Sequence, residues 1–136
     1  MLRPRMAGKS ALVAMVAAVV IWLGGCAPRP TTTAGTEIGI ASFYSNAFNG
    51  RRTADGEIFD NSKFTAAHRT YPFGTVVQVT NLATNASVEV RINDRGPVKQ
   101  ERIIDLTEAA AQAIGIVRAG LGRVRLHVVE WGKNGS

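Results

Sequence analysis

Cysteine is almost missing: Cys26 is the only one in 136 residues, so no disulfide can form within the chain. Histidine is scarce too. His68 and His127 stand 59 positions apart, and with a single cysteine they give no metal-ligand spacing, so neither a metal nor a cofactor is expected. No glycine-rich phosphate loop precedes the one clear helical segment, and no internal repeat or low-complexity run is visible. Long apolar runs are also lacking. Ala11–Leu23, 13 residues, falls short of the roughly 20 that a spanning helix needs. Basic residues outnumber acidic ones by six, but they are scattered and no recognition motif accompanies them. That pattern fits residence near an anionic polymer or membrane and argues against nucleic acid.

The N-terminus differs from the rest. Arg3, Arg5 and Lys9 precede the apolar run, which reads as a secretory signal, the alternative being an uncut membrane anchor. The run ends in Leu23-Gly24-Gly25-Cys26, which resembles the lipobox of bacterial lipoproteins. The resemblance implies cleavage before Cys26, a diacylglycerol on its thiol and a further acyl chain, such as palmitate, on the freed amine. Lipidation would also remove an unpaired thiol from an oxidising compartment. Several acyl chains anchor firmly, since each buried methylene adds about 0.8 kcal/mol. Residues 1–25 are thus expected to leave as signal peptide, taking three basic and no acidic residues and leaving a net charge of +3. Residues 26–36, with Pro28, Pro30, Thr31, Thr32 and Thr33, read as a tether. Residues 37–132 read as one folded domain and 133–136 as a tail. Ala27, rather than an aspartate, follows Cys26, which in two-membrane bacteria resembles the outer-membrane sorting pattern. The expected location is the cell envelope, lipid-anchored and facing the periplasm.

Within the domain, period-two alternation marks strands. Ile38, Ile40 and Ser42 alternate with Gly39 and Ala41 and lead into Phe43-Tyr44. Val77 and Val79 form a second strand, and Val88, Val90 and Ile92 a third, joined by a polar hairpin loop over 81–86. Ile103-Ile104 is a short buried strand, and Val124, Leu126 and Val128 make the last. One helix is clear: Thr107 as cap, Glu108 in the first turn, helix formers through Ile114, and Gly115 as stop. Many short strands with one helix indicate a compact, mostly β barrel.

Two segments are too polar for plain turns: Asn49-Gly50-Arg51-Arg52-Thr53-Ala54-Asp55-Gly56-Glu57-Ile58-Phe59-Asp60 and Arg91-Ile92-Asn93-Asp94-Arg95-Gly96-Pro97. Together with Gly39-Ile40-Ala41-Ser42-Phe43-Tyr44, Phe64-Thr65-Ala66-Ala67-His68, Val79-Thr80-Asn81-Leu82 and Ile104-Asp105-Leu106-Thr107, they resemble the rare lipoprotein A family in order and spacing, over roughly 38–131. The resemblance implies a six-stranded double-psi β-barrel with one or two short helices, a fold shared with expansins and membrane-bound lytic transglycosylase A. It implies lytic transglycosylase activity on peptidoglycan glycan strands, cutting within the strand, with strands poor in stem peptides preferred. It places the family's functional residues on Glu57, Asp60, His68, Asp94 and Asp105. Many family members carry a C-terminal glycan-binding (SPOR) domain that targets the division septum. This chain ends at Ser136, shortly after the last strand, so that domain is not expected here.

The chemistry of these residues is compatible with that. Cleaving a glycosidic bond needs a proton donor for the leaving oxygen, which a carboxylic acid with a raised pKa provides. In a lytic transglycosylase the C6 hydroxyl of N-acetylmuramic acid attacks its own C1, with the entropic advantage of an intramolecular step. One carboxyl could serve as acid and then base. Asp94, at the end of the best-patterned strand, is the expected carrier; otherwise it would cap a turn or pair with Arg95. Glu57 and Asp60 could orient the sugar or stabilise positive charge, or simply sit on a solvated loop. His68 could hydrogen-bond Asp94 or substrate, or be structural. Asp105 reads more readily as a structural residue near the helix start than as a catalyst. Tyr44, Phe48, Phe59 and Tyr71 could offer faces to sugar rings, with Phe43 and Phe73 in the core. Arg51, Arg52 and Arg95 could hold the carboxylates of peptidoglycan. His127 and Glu130 read as surface residues. The expected protein is a monomeric enzyme. A barrel that grips glycan without cutting it, as expansins do, is the alternative, because fold alone does not fix chemistry.

Overall fold

The computed structural model describes residues 35–133; the signal segment, Cys26 and most of the tether lie outside them. Alternation decides most of the strands. In β6 (Gly122–Glu130), Val124 and Leu126 are buried while Arg123, Arg125 and His127 stay exposed. β3 (Val76–Asn81) buries Val77 and Val79, and β4 (Ser87–Asp94) buries Val90 and Ile92. Asn81 N–H donates to Ala86 O at 2.8 Å and closes the loop between them. β5 (Arg102–Leu106) buries Ile104 and Leu106, and β1 (Thr36–Phe43) buries Ala41 and Ser42. The sixth strand, β2 (Thr65–Ala67), carries no alternating pattern; it is three buried residues held between two neighbours.

The strands close in the order β1-β5-β2-β4-β3-β6. β1 runs parallel to β5 and β2 parallel to β4, while the remaining pairs are antiparallel. Parallel neighbours cannot be joined by tight hairpins, so the chain must cross over between them. The crossings make this a double-psi β-barrel, mostly β, with one short helix and a 3-10 turn at Asn46–Phe48. Closure leaves no free sheet edge. The interior is packed with aliphatic side chains, Ile92, Ile104, Leu106 and Leu126 among them, each fully buried. Each such burial stabilises by about 1.5–3 kcal/mol, which is how a domain this small folds without a disulfide among its described residues.

α1 (Glu108–Ile114) buries Ala110, Ala111 and Ile114 against this core. Thr107 caps it, its Oγ1 accepting from Ala110 N–H at 3.4 Å, and Gly115 ends it at φ 76°, a left-handed conformation that glycine adopts without penalty. The Thr107 hydroxyl also donates to the Lys63 carbonyl, tying the helix start to the loop before β2. Thr107→Ala removes both contacts. A loss of about 1–2 kcal/mol is expected, read as a lower urea midpoint with an unchanged slope.

Candidate active site

Two irregularities in strand pairing bring the chemistry-bearing residues into one row. Between β2 and β4 the register runs Ala66↔Ile92 and then Ala67↔Asp94, so Asn93 is skipped. Strict alternation after Ile92 would have put Asn93, not Asp94, on the face opposite the core. The bulge turns Asp94 to that face, a common use of bulges beside functional sites. A matching irregularity between β1 and β5 skips Ile103 and pairs Ser42 with Asp105. Ala67 is also the antiparallel partner of Asp105. Ser42, Asp105, Ala67 and Asp94 therefore lie side by side on four adjacent strands, sharing one face of the sheet. Two strand spacings, about 10 Å between Cα atoms, separate the two aspartates, with only an alanine methyl between them.

Tyr44 reaches across this row from the end of β1. Its hydroxyl donates to Asp94 Oδ2 at 2.5 Å. Asp94 Oδ1 accepts from the N–H of Ala54 and of Arg95, each at 2.9 Å. Three donors thus converge on one carboxyl and fix its orientation. Burial, reinforced by the Asp94 hydrogen bond and by the charges of both aspartates, pushes the Tyr44 hydroxyl well above its ordinary value, so it remains a donor. Asp105 sits differently. Its Oδ1 accepts from the Ser42 hydroxyl, and half-burial pushes its carboxyl above the usual carboxylate range despite that bond. Gly96, at φ 137°, lies over the gap: a side chain there would approach Asp105 Oδ2 and the Ala67 methyl at 3.5 and 3.9 Å. Asp105, expected as a structural residue near the helix start, instead accepts from Ser42 on a strand distant in the chain. It belongs to the row.

The polar loop 49–60 docks on this site rather than reaching freely into solvent. Asp55 N–H donates to Asn93 O at 3.1 Å, beside the Ala54–Asp94 bond. Asp55 Oδ1 accepts from Thr53 Oγ1 and Glu57 N–H, an Asx-type turn closed by Gly56 at φ 93°. Glu57 is held by Arg91 through two parallel bonds of 2.5 and 2.8 Å. Those bonds hold the Glu57 carboxyl down at about 2, so at neutral pH it is a fixed charge and not a proton donor. Asp60 lies apart from the row. Its Oδ1 accepts from the N–H and hydroxyl of Ser62, and its side chain walls a separate cleft.

His68 does not touch the Asp94 carboxyl. Its ring is buried, stacked on Tyr71 at 3.6 Å between centroids. Nδ1 accepts from the N–H of Thr70 and of Tyr71, each at 3.1 Å, so the proton is on Nε2, which donates to Glu37 Oε2 at 3.0 Å. The link to Asp94 is through the main chain: His68 N–H donates to Asp94 O at 3.2 Å. Desolvation by burial lowers the His68 pKa from its ordinary value, outweighing the opposite pull of Glu37. The unfolded chain therefore takes up this proton more readily than the folded one. Stability from this group is complete above about pH 6.5 and is lost as pH falls below it. The stability advantage of wild type over His68→Gln, measured by urea unfolding, is expected to shrink between pH 7.5 and pH 5; a constant difference would refute the buried neutral ring.

Other sites expected from sequence are used inside the fold. The Arg95 guanidinium donates to the carbonyls of His68 and Tyr71, at 3.2 and 2.9 Å, and lies 3.9 Å over the Phe73 ring. It therefore holds the 68–71 turn instead of facing a ligand. Phe59, expected to face a sugar, is buried against Tyr44 because Gly50 and Arg51 pair with it across the loop. Tyr71 is packed on His68. Phe48 remains exposed, with Arg51 lying 5.5 Å over its ring, while Arg52 donates to Gly56 O. Glu37 lies outside every sequence motif, and the partnerships of Glu37 with His68, Ser42 with Asp105 and Arg91 with Glu57 each join segments far apart in the chain.

Residues 36–126 match a family described as lytic transglycolase. The chain is similar to the "Probable endolytic peptidoglycan transglycosylase RlpA" of Synechocystis sp., 48% identical over 129 residues, covering 95% of this chain and 40% of that protein. It is similar as well to the endolytic peptidoglycan transglycosylase RlpA of Haemophilus influenzae, 46% identical over 112 residues, covering 78% of this chain and 39% of that one. The chain thus spans about two fifths of the length of these relatives. Among solved structures, an expansin from Clavibacter michiganensis superposes with a TM-score of 0.58 at 21% identity, covering 73% of this chain and 52% of the expansin, a likeness of fold.

Proposed function

Starting from a chain that belongs to the lytic transglycolase family, we propose that it cleaves the glycan strands of peptidoglycan without water, leaving 1,6-anhydro-N-acetylmuramic acid ends. The observation that carries the reading is the row Ser42–Asp105–Ala67–Asp94, in which two carboxyl groups in unlike environments share one face.

Pairs of carboxyls whose surroundings differ divide acid and base work between them. Asp105, raised by burial, is the group that keeps a proton, and it donates that proton to the glycosidic oxygen as the C1–O bond breaks. Asp94, held by three donors, accepts the proton of the C6 hydroxyl as that oxygen bonds to C1. No water is consumed, and the departing electron pair stays on the protonated leaving oxygen. This differs from the single-carboxyl scheme expected from sequence. Tyr44 orients Asp94, and Glu57 with Arg91 locks the loop whose Ala54 N–H reaches the same carboxyl. His68 and Arg95 position Asp94 from behind, through main-chain bonds.

A monomer is part of the same proposal. The Leu23-Gly24-Gly25-Cys26 sequence supports an envelope lipoprotein anchored through Cys26 and facing the periplasm, and Ala27 after it favours the outer membrane where two membranes exist. Amidase-stripped glycan strands incubated with the full chain in mild detergent test the reading. Release of short soluble fragments supports it; glycan retained in a pull-down without any fragment identifies a binder instead.

A further inference from the structure

An open cleft of about 580 Å³ is walled by Asn46, Asn49, Asp60, Asn61, Glu108 and Gln112. We propose that this cleft is a binding subsite for a neutral N-acetylhexosamine ring of the glycan, next to the cleavage point; the proposal rests on the glycan-cleaving reading. The volume falls within the range usual for small-ligand sites, about 300–1,000 Å³.

The wall is built, not incidental. Asn61 is buried at its back and organises the rest: its N–H donates to Asn49 Oδ1 and its Nδ2 to Asn46 Oδ1, each at 2.7 Å. Its Oδ1 accepts from Glu108 N–H at 2.8 Å. These bonds occupy the amide oxygens of Asn46 and Asn49. Their NH₂ groups have no partner among the described residues. Gln112, one helical turn after Glu108, stands exposed on the same helix face with its whole amide unpartnered among those residues. Three side-chain amides are thus presented to a ligand that offers hydroxyls and a carbonyl oxygen.

Two carboxylates complete the choice. Ser62 holds the Asp60 carboxyl below its ordinary value, so it stays charged, with Oδ2 unpartnered among the described residues. Asp60 and Glu108 accept from sugar hydroxyls and repel an anionic substituent, so the ring they admit is the one without a lactyl carboxylate. Ala109 supplies the single methyl on the wall, suited to an acetamido methyl. The cleft connects to the row through one residue: Tyr44 donates from its hydroxyl to Asp94, while its carbonyl accepts from Asn61 Nδ2 at 3.4 Å. One tyrosine side chain therefore separates the two places, and exposed Phe48 stands edge-on to Tyr44 between Asn46 and Asn49. Asp60, which stands outside the row, acquires a role here.

Calorimetric titration of the full chain carrying Asp94→Asn, in mild detergent, separates this from the cleavage reading because no turnover is required. The probes are chitotetraose and cellotetraose, which lacks acetamido groups. Chitotetraose is expected to bind at least fivefold more tightly than cellotetraose, and Asn46→Ala and Gln112→Ala, both at exposed positions, are each expected to weaken it at least threefold. Equal binding of the two sugars, no binding, or binding indifferent to both substitutions would overturn the proposal. If wild type fails to cut glycan while this binding pattern holds, the cleavage reading falls and the subsite stands.

Discussion

Asp94→Asn is expected to lower the rate of glycan cleavage by about 10²–10⁴-fold, the usual contribution of a positioned acid or base. This corresponds to about 3–5 kcal/mol of transition-state stabilisation. Asparagine keeps an oxygen for the N–H groups of Ala54 and Arg95, so the loop docked on Asp94 has no reason to move. The only bond that changes character is the one from Tyr44. Melting is therefore expected to stay within a few degrees of wild type, and glycan affinity near wild type. A variant that loses activity only together with its fold would say nothing about the chemistry. A well-folded variant that cuts at the wild-type rate would remove Asp94 from the mechanism.

Asp105→Asn is expected to do two things at once: lower activity by about 10²-fold and raise stability at neutral pH. The first follows from the loss of the proton donor. The second follows from linkage. The folded protein holds the Asp105 proton more tightly than the unfolded chain does, because half-burial raises its pKa. The stabilisation from this group is complete below the unfolded value, about 3.9, and is lost as pH rises through the folded value. At pH 7 folding must either take up a proton at this carboxyl or half-bury its charge, a cost that asparagine lacks, while the Ser42 bond can be kept through the amide oxygen. The melting temperature should rise by a few degrees, given roughly 4–8 °C per kcal/mol for a domain of this size. The advantage should close as pH falls toward 4. The decline in kcat/KM that wild type shows as pH rises through the Asp105 pKa should vanish in the variant. A variant less stable than wild type at pH 7 would contradict the burial argument.

The strands that alternate were legible because one face of each meets a barrel interior, as Val88-Glu89-Val90-Arg91-Ile92 shows. The helix was legible because its cap and stop are local: Thr107 and Gly115 act within a few residues of their own positions. β2 was not, since Thr65-Ala66-Ala67 owes its strand state to β4 and β5 on either side, not to its own pattern. The pairing of Asp94 with Asp105 was out of reach for the same reason. It depends on two register shifts and on Ala67, a residue with no chemistry of its own. His68 and Arg95 look reactive in a sequence, yet one is tied up by Glu37 and two main-chain amides and the other by two carbonyls. Phe59 reads as a free aromatic only if the loop around it is imagined open, whereas the loop folds back on it. Residue type announced the actors; long-range pairing decided which of them meet.

The most direct test lies in the oxygen at the new chain end. Glycan strands digested in water enriched in oxygen-18 and read by mass spectrometry should yield 1,6-anhydro ends that carry no label, because the attacking oxygen comes from the sugar's own C6. Reducing ends bearing oxygen-18 would mean that water attacks C1, and the account of an intramolecular cut between Asp94 and Asp105 would be wrong.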